Sequence, residues 1–394
     1  MFQHINQRAQ HYFNNKQYHK AIKLLDVPDL PIELKPNLAK CYYYNHQANI
    51  AFDIIKDLEP TTELLIDQAL YLNALGHHNS ALDIYNTLDR SNPKVSFNLG
   101  WHLLRQGDFS AGFKLIQRGS ELRSWGNEYI YLEQNIVDAT KRWNGESCKN
   151  LALILEGGLG DEMIFLRWAN HIKTLCENLT IYCHHSLLRL LTNAGYFCEP
   201  IAALKSAEYD YYCPAMSIPD ILKLDDPQQH VVFPYISSFA EPYIARQMDK
   251  IAQGQKKIGV RWAGNQEFEH DQFRTVPKTA LTHLGHYGQL FNLQLEDNDP
   301  TIPNCNAIIK DWQDTYSIFA NLDILVTSCT STAHLAGAMS IPTVVLVPLV
   351  PYFVWACESQ PWYNSVKIIR QTEYNNWDSA TQELHDYFKN NFAS

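Results

Sequence analysis

Two short turns in this sequence carry the side chains best suited to chemistry. The first, Glu156–Asp161, follows an apolar run and precedes residues with helical spacing, so it predicts a strand, a glycine turn and a helix start. Gly158 and Gly160 let the backbone approach a ligand closely, and free N–H groups at a helix start attract anions. Asp161 is then either a helix-capping residue or a base directed into a cleft. From this stretch alone, capping is the simpler interpretation.

The second turn follows another apolar run, a strand predicted to end near Thr327. Thr330, Ser331 and Thr332 supply hydroxyl groups where the next helix is predicted to begin. Together with the free N–H groups of that helix start, they predict a binding site for a diphosphate. The alternative is that they cap a buried helix. His334, one turn further on, either contacts a phosphate or is an ordinary buried histidine.

A third stretch, Ile258–Pro277, adds arginines to the same chemistry. A predicted strand ends at Arg261 and Trp262, and a polar loop with Asn265 follows. Arg274 then precedes a predicted helix. An arginine near a strand end can hold phosphate oxygens in a bidentate manner. Arg261 has an alternative role as the partner of a nearby acid, which would be Glu267, Glu269 or Asp271.

Motifs of the common nucleotide enzymes are missing from the sequence. No third glycine follows at the dinucleotide-binding spacing, no GK[ST] indicates a P-loop, and no GxSxG indicates a hydrolase elbow. No CxxC pair indicates a zinc site. We therefore expect no bound cofactor and no metal, and the common NAD, ATP and serine-hydrolase chemistries are excluded.

Composition and charge narrow the class further. The chain has 394 residues, enough for two or three domains, and its formal net charge of -10 argues against general nucleic-acid binding. Its nine scattered cysteines suit a reducing compartment. The N-terminus lacks the apolar core of a signal peptide, and no window reaches membrane-spanning length. We expect a cytoplasmic protein with no nucleic-acid partner and no transmembrane segment.

The elements before these turns form a repeat. Ala21, Ala51, Ala81 and Ala111 recur every 30 residues, with apolar residues following each of them in step. The clearest unit, Ala69–Pro93, resembles the tetratricopeptide repeat, shortened from its usual period of about 34 residues. Such repeats bind a protein partner, associate with themselves, or brace the rest of the chain, and the sequence leaves these roles open.

From residue 150 onwards, apolar runs alternate with helical patterns in two series. This alternation predicts two Rossmann-like domains that face each other across a cleft, with ligands at the carboxyl ends of the strands. The predicted limits are 1–125 for the repeats, 126–149 for a linker, 150–237 and 238–376 for the two α/β domains, and 377–394 for a C-terminal helix. The predicted strands are Leu151–Leu155, Leu179–Tyr182, Tyr209–Tyr212, Val231–Phe233, Lys257–Trp262, Gln289–Leu295, Ile324–Val326, Thr343–Val347 and Val366–Ile369.

The motifs EGGLGDEMIFLRW, GVRWAGN…RTVP, TSCTSTAHLAGAMSIPTVVLVP and PWYNSVKIIRQ, in that order, carry a resemblance. Over Asn150–Trp377 the chain resembles bacterial tetratricopeptide proteins with a heptosyltransferase-like glycosyltransferase domain, within the ADP-heptose:lipopolysaccharide heptosyltransferase family. The resemblance implies the GT-B fold, with Asp161 as the catalytic base. Many relatives have an aspartate that contacts the donor sugar where this chain has Cys329, so the sugar stays open.

The expected function is that of a metal-independent, inverting glycosyltransferase. The first α/β domain is expected to bind the acceptor, and the second is expected to bind the nucleotide sugar. The acceptor is a glycan, a lipopolysaccharide or a protein. Two alternatives stay open: a non-catalytic scaffold with a degenerate transferase domain, and another GT-B enzyme such as a nucleotide-sugar epimerase. The expected donor-binding residues are Gly158, Gly160, Arg261, Trp262, Asn265, Arg274, Thr330, Ser331, Thr332 and His334.

Overall fold

The structure of the chain, a computed structural model, describes residues 2–122, 124–125, 132–265, 271–295, 297, 301–357, 362–374 and 376–392. Within these ranges, a helical N-terminal part is followed by two parallel sheets with flanking helices. The first residues of the predicted linker, 126–131, lie outside the described residues, as do Glu267, Glu269 and the last two residues of the chain.

The N-terminal part consists of helices that pack as consecutive pairs, α1 with α2, α3 with α4, α5 with α6 and α7 with α8. Ala21, Ala51 and Ala81 are fully buried, as the 30-residue spacing predicts for sites of close helix contact. In the last pair the close helix contact is at Gly112 and not at Ala111, which is only half-buried. A Cβ atom on Gly112 would lie 2.6 Å from Leu104 Cγ. The helices are Phe2–Asn14 (α1), Tyr18–Leu25 (α2), Lys35–Tyr44 (α3), Ala48–Ile55 (α4), Thr62–Ala74 (α5), His78–Thr87 (α6), Pro93–Arg105 (α7) and Phe109–Ile116 (α8).

We expect Ala81→Leu to destabilise the helical part by about 1–3 kcal/mol, because a larger side chain overpacks a contact that has no free space. Ala81 lies in a cluster with Ala69, Tyr85 and Leu99, so α5, α6 and α7 would all have to move. Urea unfolding measures the loss. Ser80→Leu, at an exposed position on the same helix, is the matched control. If both variants unfold at the wild-type urea concentration, Ala81 is not a close-packing site.

The first sheet has the order β3-β2-β1-β4, and its strand pairs are all parallel. The strands are Cys148–Ile154 (β1), Cys176–Cys183 (β2), Cys198–Pro200 (β3) and Tyr211–Pro214 (β4), and the helices are Leu159–Phe165 (α9), Ala169–Ile172 (α10), Leu188–Asn193 (α11) and Ile218–Ile221 (α12).

The prediction of a strand at Val231–Phe233 is wrong. These residues form an irregular segment, and Val232 is 73% exposed, so the apolar run is not part of a buried sheet. The chain after it docks on the second α/β part instead, where the N–H groups of Tyr235 and Ile236 donate to the carbonyl of Ala338. The short strand β3 was not predicted, because three residues give no readable pattern.

The second sheet has the order β6-β5-β7-β8-β9 and is also parallel. Its strands form where the apolar runs predict them. They are Lys257–Arg261 (β5), Gln289–Asn292 (β6), Ile324–Ser328 (β7), Thr343–Val347 (β8) and Val366–Arg370 (β9), and the helices are Pro242–Ala252 (α13), Asp271–Arg274 (α14), Lys278–Thr282 (α15), Trp312–Phe319 (α16), Ser331–Ala338 (α17) and Asp378–Phe392 (α18). In each sheet the chain order reverses beside the first strand, β1 or β5.

The helical part packs directly against the α/β part. The Phe113 ring lies 6.1 Å from the Phe353 ring, and the Phe109 ring lies 5.7 Å from the Trp362 ring, measured between centroids. These residues belong to one apolar cluster that continues into the first sheet. Such contacts are those expected if the helices brace the rest of the chain, one of the three roles that the sequence left open. Among the described residues, no helix is long and apolar enough to cross a membrane.

Candidate functional site

A cavity of about 970 Å³ lies where the carboxyl ends of both sheets meet the helical part. Its walls come from the first turn of α9, from the loops after β5, β7 and β8, and from helices α3, α5 and α7. The ends of β5 and β7 flank the point where the strand order reverses in the second sheet, and β1 flanks the equivalent point in the first. Open parallel sheets bind their ligands at such points.

Asp161 lies in the first turn of α9 and lines this cavity. Its Oδ2 atom accepts a hydrogen bond from the Gly158 N–H at 2.9 Å, and its Oδ1 atom accepts one from the Tyr352 hydroxyl at 2.7 Å. Burial raises the pKa of this carboxyl, while the hydrogen bonds from Tyr352 and Gly158 and the charge of Arg274 oppose the rise. The same carboxylate therefore stabilises the helix start and offers a proton acceptor to the cavity.

The glycines of the first turn are required by close contacts within the protein. Gly157 has a φ of +91°, a conformation that L side chains rarely adopt. A Cβ atom on Gly160 would lie 3.1 Å from His334 Cδ2 and 3.7 Å from Ser331 Cα. Gly160 is therefore the point where the start of α9 meets the start of α17, so the two sheets bring their helix N-termini together at the cavity.

Glu156, the first residue of this turn, holds the ends of β1 and β4 together. It is 3% exposed, and its two carboxylate oxygens accept hydrogen bonds from the N–H groups of Ala215 and Met216, each at 2.8 Å. Burial raises the pKa of Glu156 to about 8, against the effect of these two donors. The sequence motif contains Glu156 but gives no sign of this role.

We expect Glu156→Ala to lower the free energy of unfolding by about 2–6 kcal/mol, since it leaves two buried N–H groups without an acceptor, at roughly 1–3 kcal/mol each. Chemical denaturation measures the change. Glu208→Ala, at an exposed position, is the control. Equal stability of the two variants would show that the β1–β4 tie contributes nothing.

The start of α17 presents N–H groups to the cavity. Thr330 is the N-cap residue, but its side chain makes no capping hydrogen bond. Its hydroxyl bonds instead to the Thr332 hydroxyl at 2.6 Å, and Thr332 bonds in turn to Thr327 at 3.1 Å. Thr330, Ser331 and Thr332 all line the cavity. A helix start with no side-chain cap suits an anion, because its N–H groups and dipole favour negative charge.

Arg274 is held at the cavity wall by two contacts. Its Nε atom donates to Asp271 at 2.8 Å, and its Nη1 atom donates to the carbonyl oxygen of Cys329 at 3.0 Å. Asp271 is 4% exposed and also accepts from the Gly264 N–H. Burial raises the pKa of Cys329 to about 11, so a neutral thiol stands beside the arginine at neutral pH. The guanidinium thus links the loops after β5 and β7 on the side of the cavity that faces Asp161.

His334 is a buried neutral side chain. Its Nδ1 atom lies 3.1 Å from the Tyr363 hydroxyl, and its ring stacks on Trp355 with centroids 4.9 Å apart. Burial, together with the charges of Arg167 and Arg274, lowers the pKa of His334 to about 3. It lines the cavity but cannot serve there as a cation for a phosphate at neutral pH.

Of the remaining residues predicted to bind the donor, all but one line the cavity. Arg261 and Asn265 line the cavity, as do Gly158 and Gly160, whereas Trp262 does not and belongs to the core of the second sheet. Trp262 follows the end of β5, and its ring packs in that core, so its role in donor binding stays a prediction. Arg261 bonds to the carbonyl of Ala263, and Asp271, one of its three candidate partners, pairs with Arg274.

Several cavity residues were missed by sequence reasoning. The helical part contributes Tyr43, His46, Asn73 and Arg105, and the loop after β8 contributes Tyr352. The run Tyr42–Tyr44 is the visible signal in the sequence, although an aromatic cluster at a helix interface more often packs than binds a ligand. The others lie in patterns typical of ordinary amphipathic helices or loops.

Comparisons with known proteins add little to this geometry. No protein-family profile and no curated protein matches the chain. A solved glycosyl transferase family 9 structure from Veillonella parvula is similar at a TM-score of 0.41 and 8% identity, over 62% of this chain and 92% of its own. Full-length LpoA from Haemophilus influenzae is similar at a TM-score of 0.21 and 11% identity, over 96% and 85%. At these scores neither similarity carries an argument about fold or activity.

Proposed function

We propose that the protein is an inverting glycosyltransferase that moves a sugar from a nucleotide-sugar donor to a glycan, lipopolysaccharide or protein acceptor without a metal ion. One observation carries the proposal: a cavity-facing carboxylate, Asp161, lies at the helix start that follows β1, and an uncapped helix start with Arg274 beside it follows β7. The first is suited to a base, the second to a diphosphate.

In the proposed reaction, Asp161 accepts the proton of the acceptor hydroxyl as that oxygen attacks the anomeric carbon of the donor sugar. The bond from this carbon to the diphosphate oxygen breaks, and the nucleoside diphosphate leaves with the electron pair. Arg274 and the N–H groups at the start of α17 stabilise the charge that develops there. With a single carboxylate acting as base, direct displacement inverts the anomeric centre, by analogy with inverting glycoside hydrolysis.

In the proposed reaction, Arg274 and the helix dipole, and not a metal ion, stabilise the negative charge of the leaving group. Among the described residues, no group of three or more His, Cys, Asp or Glu side chains is arranged to hold a metal ion. The sequence contains one Asp-x-Asp segment at 297–299, in which Asp297 is paired with Lys278 at 2.7 Å and residue 299 lies outside the described residues.

The same proposal includes the repeat class of the helices, the arrangement of the two sheets and the cellular location. We assign the paired N-terminal helices to the tetratricopeptide class, supported by the buried alanines at the 30-residue spacing. We assign the two sheets to the GT-B arrangement, supported by their facing carboxyl ends. A reducing, cytoplasmic location is supported by the free cysteines.

A panel of nucleotide sugars tests the function. We expect at least one donor to raise the melting temperature without added magnesium, because a bound ligand stabilises the folded state by mass action. With a mixture of glycan, lipopolysaccharide and protein acceptors, that donor should give a product of inverted anomeric configuration. Neither stabilisation nor turnover with any donor would overturn the proposal and favour the scaffold alternative.

A further inference from the structure

The loop after β8 places Tyr352 against the carboxylate of Asp161, although the two residues are far apart in the sequence. We propose that Tyr352 is a positioning residue for this base, and that helix α7 of the N-terminal part holds Tyr352 in place. The helical part would then belong to the catalytic machinery. This inference rests on the proposed function, which assigns the role of base to Asp161.

The hydrogen bond between the two side chains orients the carboxylate. The Tyr352 hydroxyl donates to Oδ1 at 2.7 Å, while the Gly158 N–H donates to Oδ2 at 2.9 Å, so both oxygens of Asp161 are anchored. Each oxygen keeps a second lone pair for a substrate proton. Burial and the neighbouring charge of Asp161 raise the pKa of Tyr352 well above its ordinary value, so the phenol remains a donor at neutral pH.

Helix α7 contacts the loop at two points one turn apart. The Trp101 ring lies 5.6 Å from the Tyr352 ring and 5.4 Å from the Phe353 ring, measured between centroids. The Arg105 Nε atom donates to the carbonyl oxygen of Pro351 at 3.3 Å. The loop has no regular structure between β8 and Phe353. The contacts from α7 hold it from one side, and the Leu349 N–H donates to Gln371 Oε1 at 3.2 Å.

Several other charged or titratable groups lie near Asp161 and Tyr352. Burial raises the pKa of Asp161, and the hydrogen bond from Tyr352 and the charge of Arg274 on α14 oppose this rise. The charge of Asp161 adds to the effect of burial in raising the pKa of Glu156 on the same turn. His334 of α17, beside Gly160, is neutral at ordinary pH. Burial and the charge of Asp161 raise the pKa of Tyr352, and the charge of Arg105 on α7 opposes that rise.

Tyr352→Phe keeps the ring and its packing but removes the donated hydrogen bond. A hydrogen bond to a charged group contributes about 1.5–3 kcal/mol, which corresponds to roughly 1–2 pKa units. The bond favours the charged carboxylate, so its loss should raise the pKa of Asp161 by that amount. The acidic limb of the kcat profile should then move to higher pH, with about a tenfold loss of kcat per unit at low pH, while donor affinity stays unchanged.

The experiment uses the full chain with carbon-13 at the aspartate carboxyls, and the Asp161 signal is assigned from its loss in Asp161→Asn. NMR titration gives the pKa of Asp161 in the wild type, in Tyr352→Phe and in the control Tyr243→Phe, at an exposed tyrosine on α13. The kcat profile and donor calorimetry are measured on the same samples. We expect an upward shift in Tyr352→Phe alone, and an unshifted pKa would overturn the positioning role.

A second variant tests the part played by α7. Arg105→Met removes the bond to Pro351, and we expect it to shift the Asp161 pKa in the same direction. In the Tyr352→Phe background it should cause no further shift, because its effect passes through Tyr352, and a full additional shift would overturn this role of α7. Because the titration needs no turnover, a shifted pKa without activity would contradict the proposed function alone, and activity with an unshifted pKa would contradict the positioning role alone.

Discussion

Asp161→Asn is expected to lower turnover on the order of 10²-fold or more, because an amide cannot accept the proton of the acceptor hydroxyl. The donor should bind the variant as it binds the wild type, since its diphosphate is assigned to Arg274 and α17. The asparagine oxygen can still accept from the Gly158 N–H, so the contact between the third residue of α9 and its N-cap residue is kept. A loss of turnover would therefore reflect chemistry and not unfolding.

The same variant should gain stability relative to the wild type as the pH rises. Burial raises the pKa of Asp161 in the folded state, so the folded protein holds a proton that the unfolded chain releases. The corresponding stability is present below the ordinary carboxyl pKa and is lost as the pH rises through the folded-state value. Asparagine has no such loss, so its melting temperature should exceed that of the wild type most clearly at neutral and alkaline pH.

The measurements are kcat, donor Kd and melting temperature in Asp161→Asn, with the donor found in the panel. Asp225→Asn, at an exposed aspartate, is the matched control and should leave all three unchanged. A well-folded Asp161→Asn variant with wild-type turnover would remove Asp161 from the catalytic step. Wild-type pH dependence of the melting temperature would show that the carboxyl is not desolvated as its burial indicates.

Arg274→Ala is expected to weaken the binding of a nucleoside diphosphate by about 1.5–3 kcal/mol, roughly 10- to 150-fold in Kd, the range for a hydrogen bond to a charged group. The guanidinium lies at the cavity wall and supplies the positive charge that the proposed leaving group needs. Its removal also leaves the buried Asp271 without its partner at 2.8 Å, so some loss of stability should accompany the loss of affinity.

Calorimetry without added magnesium measures this affinity, and two further variants separate binding from folding. Arg274→Lys keeps the positive charge but not the planar, bidentate geometry, so its affinity should be intermediate. Arg246→Ala removes an exposed arginine from α13 and should bind as the wild type does. Unchanged affinity in a folded Arg274→Ala variant would place the diphosphate elsewhere.

Local pattern was sufficient for most strands, because strands buried in a parallel sheet read as continuous apolar runs. It failed at Val231–Phe233, where the same kind of run lies outside the sheet and leads into a segment that docks on α17. At Trp262 the pattern favoured a donor-binding residue, whereas the ring packs in the core of the second sheet, so a role in donor binding stays a prediction. In both cases the sequence shows that the residues are hydrophobic, but it does not show which surface of the protein they contact.

The sequence by itself determined the paired helices, the two parallel sheets and the short segments that carry Asp161, Arg274 and Thr330, because each depends on residues close together in the chain. The tertiary structure alone decided which side chains surround Asp161. The hydrogen bond from Tyr352 spans 191 positions, and the contact from Arg105 to Pro351 spans 246. Such contacts depend on how whole elements pack, and local periodicity carries no record of which distant loop will meet a given helix.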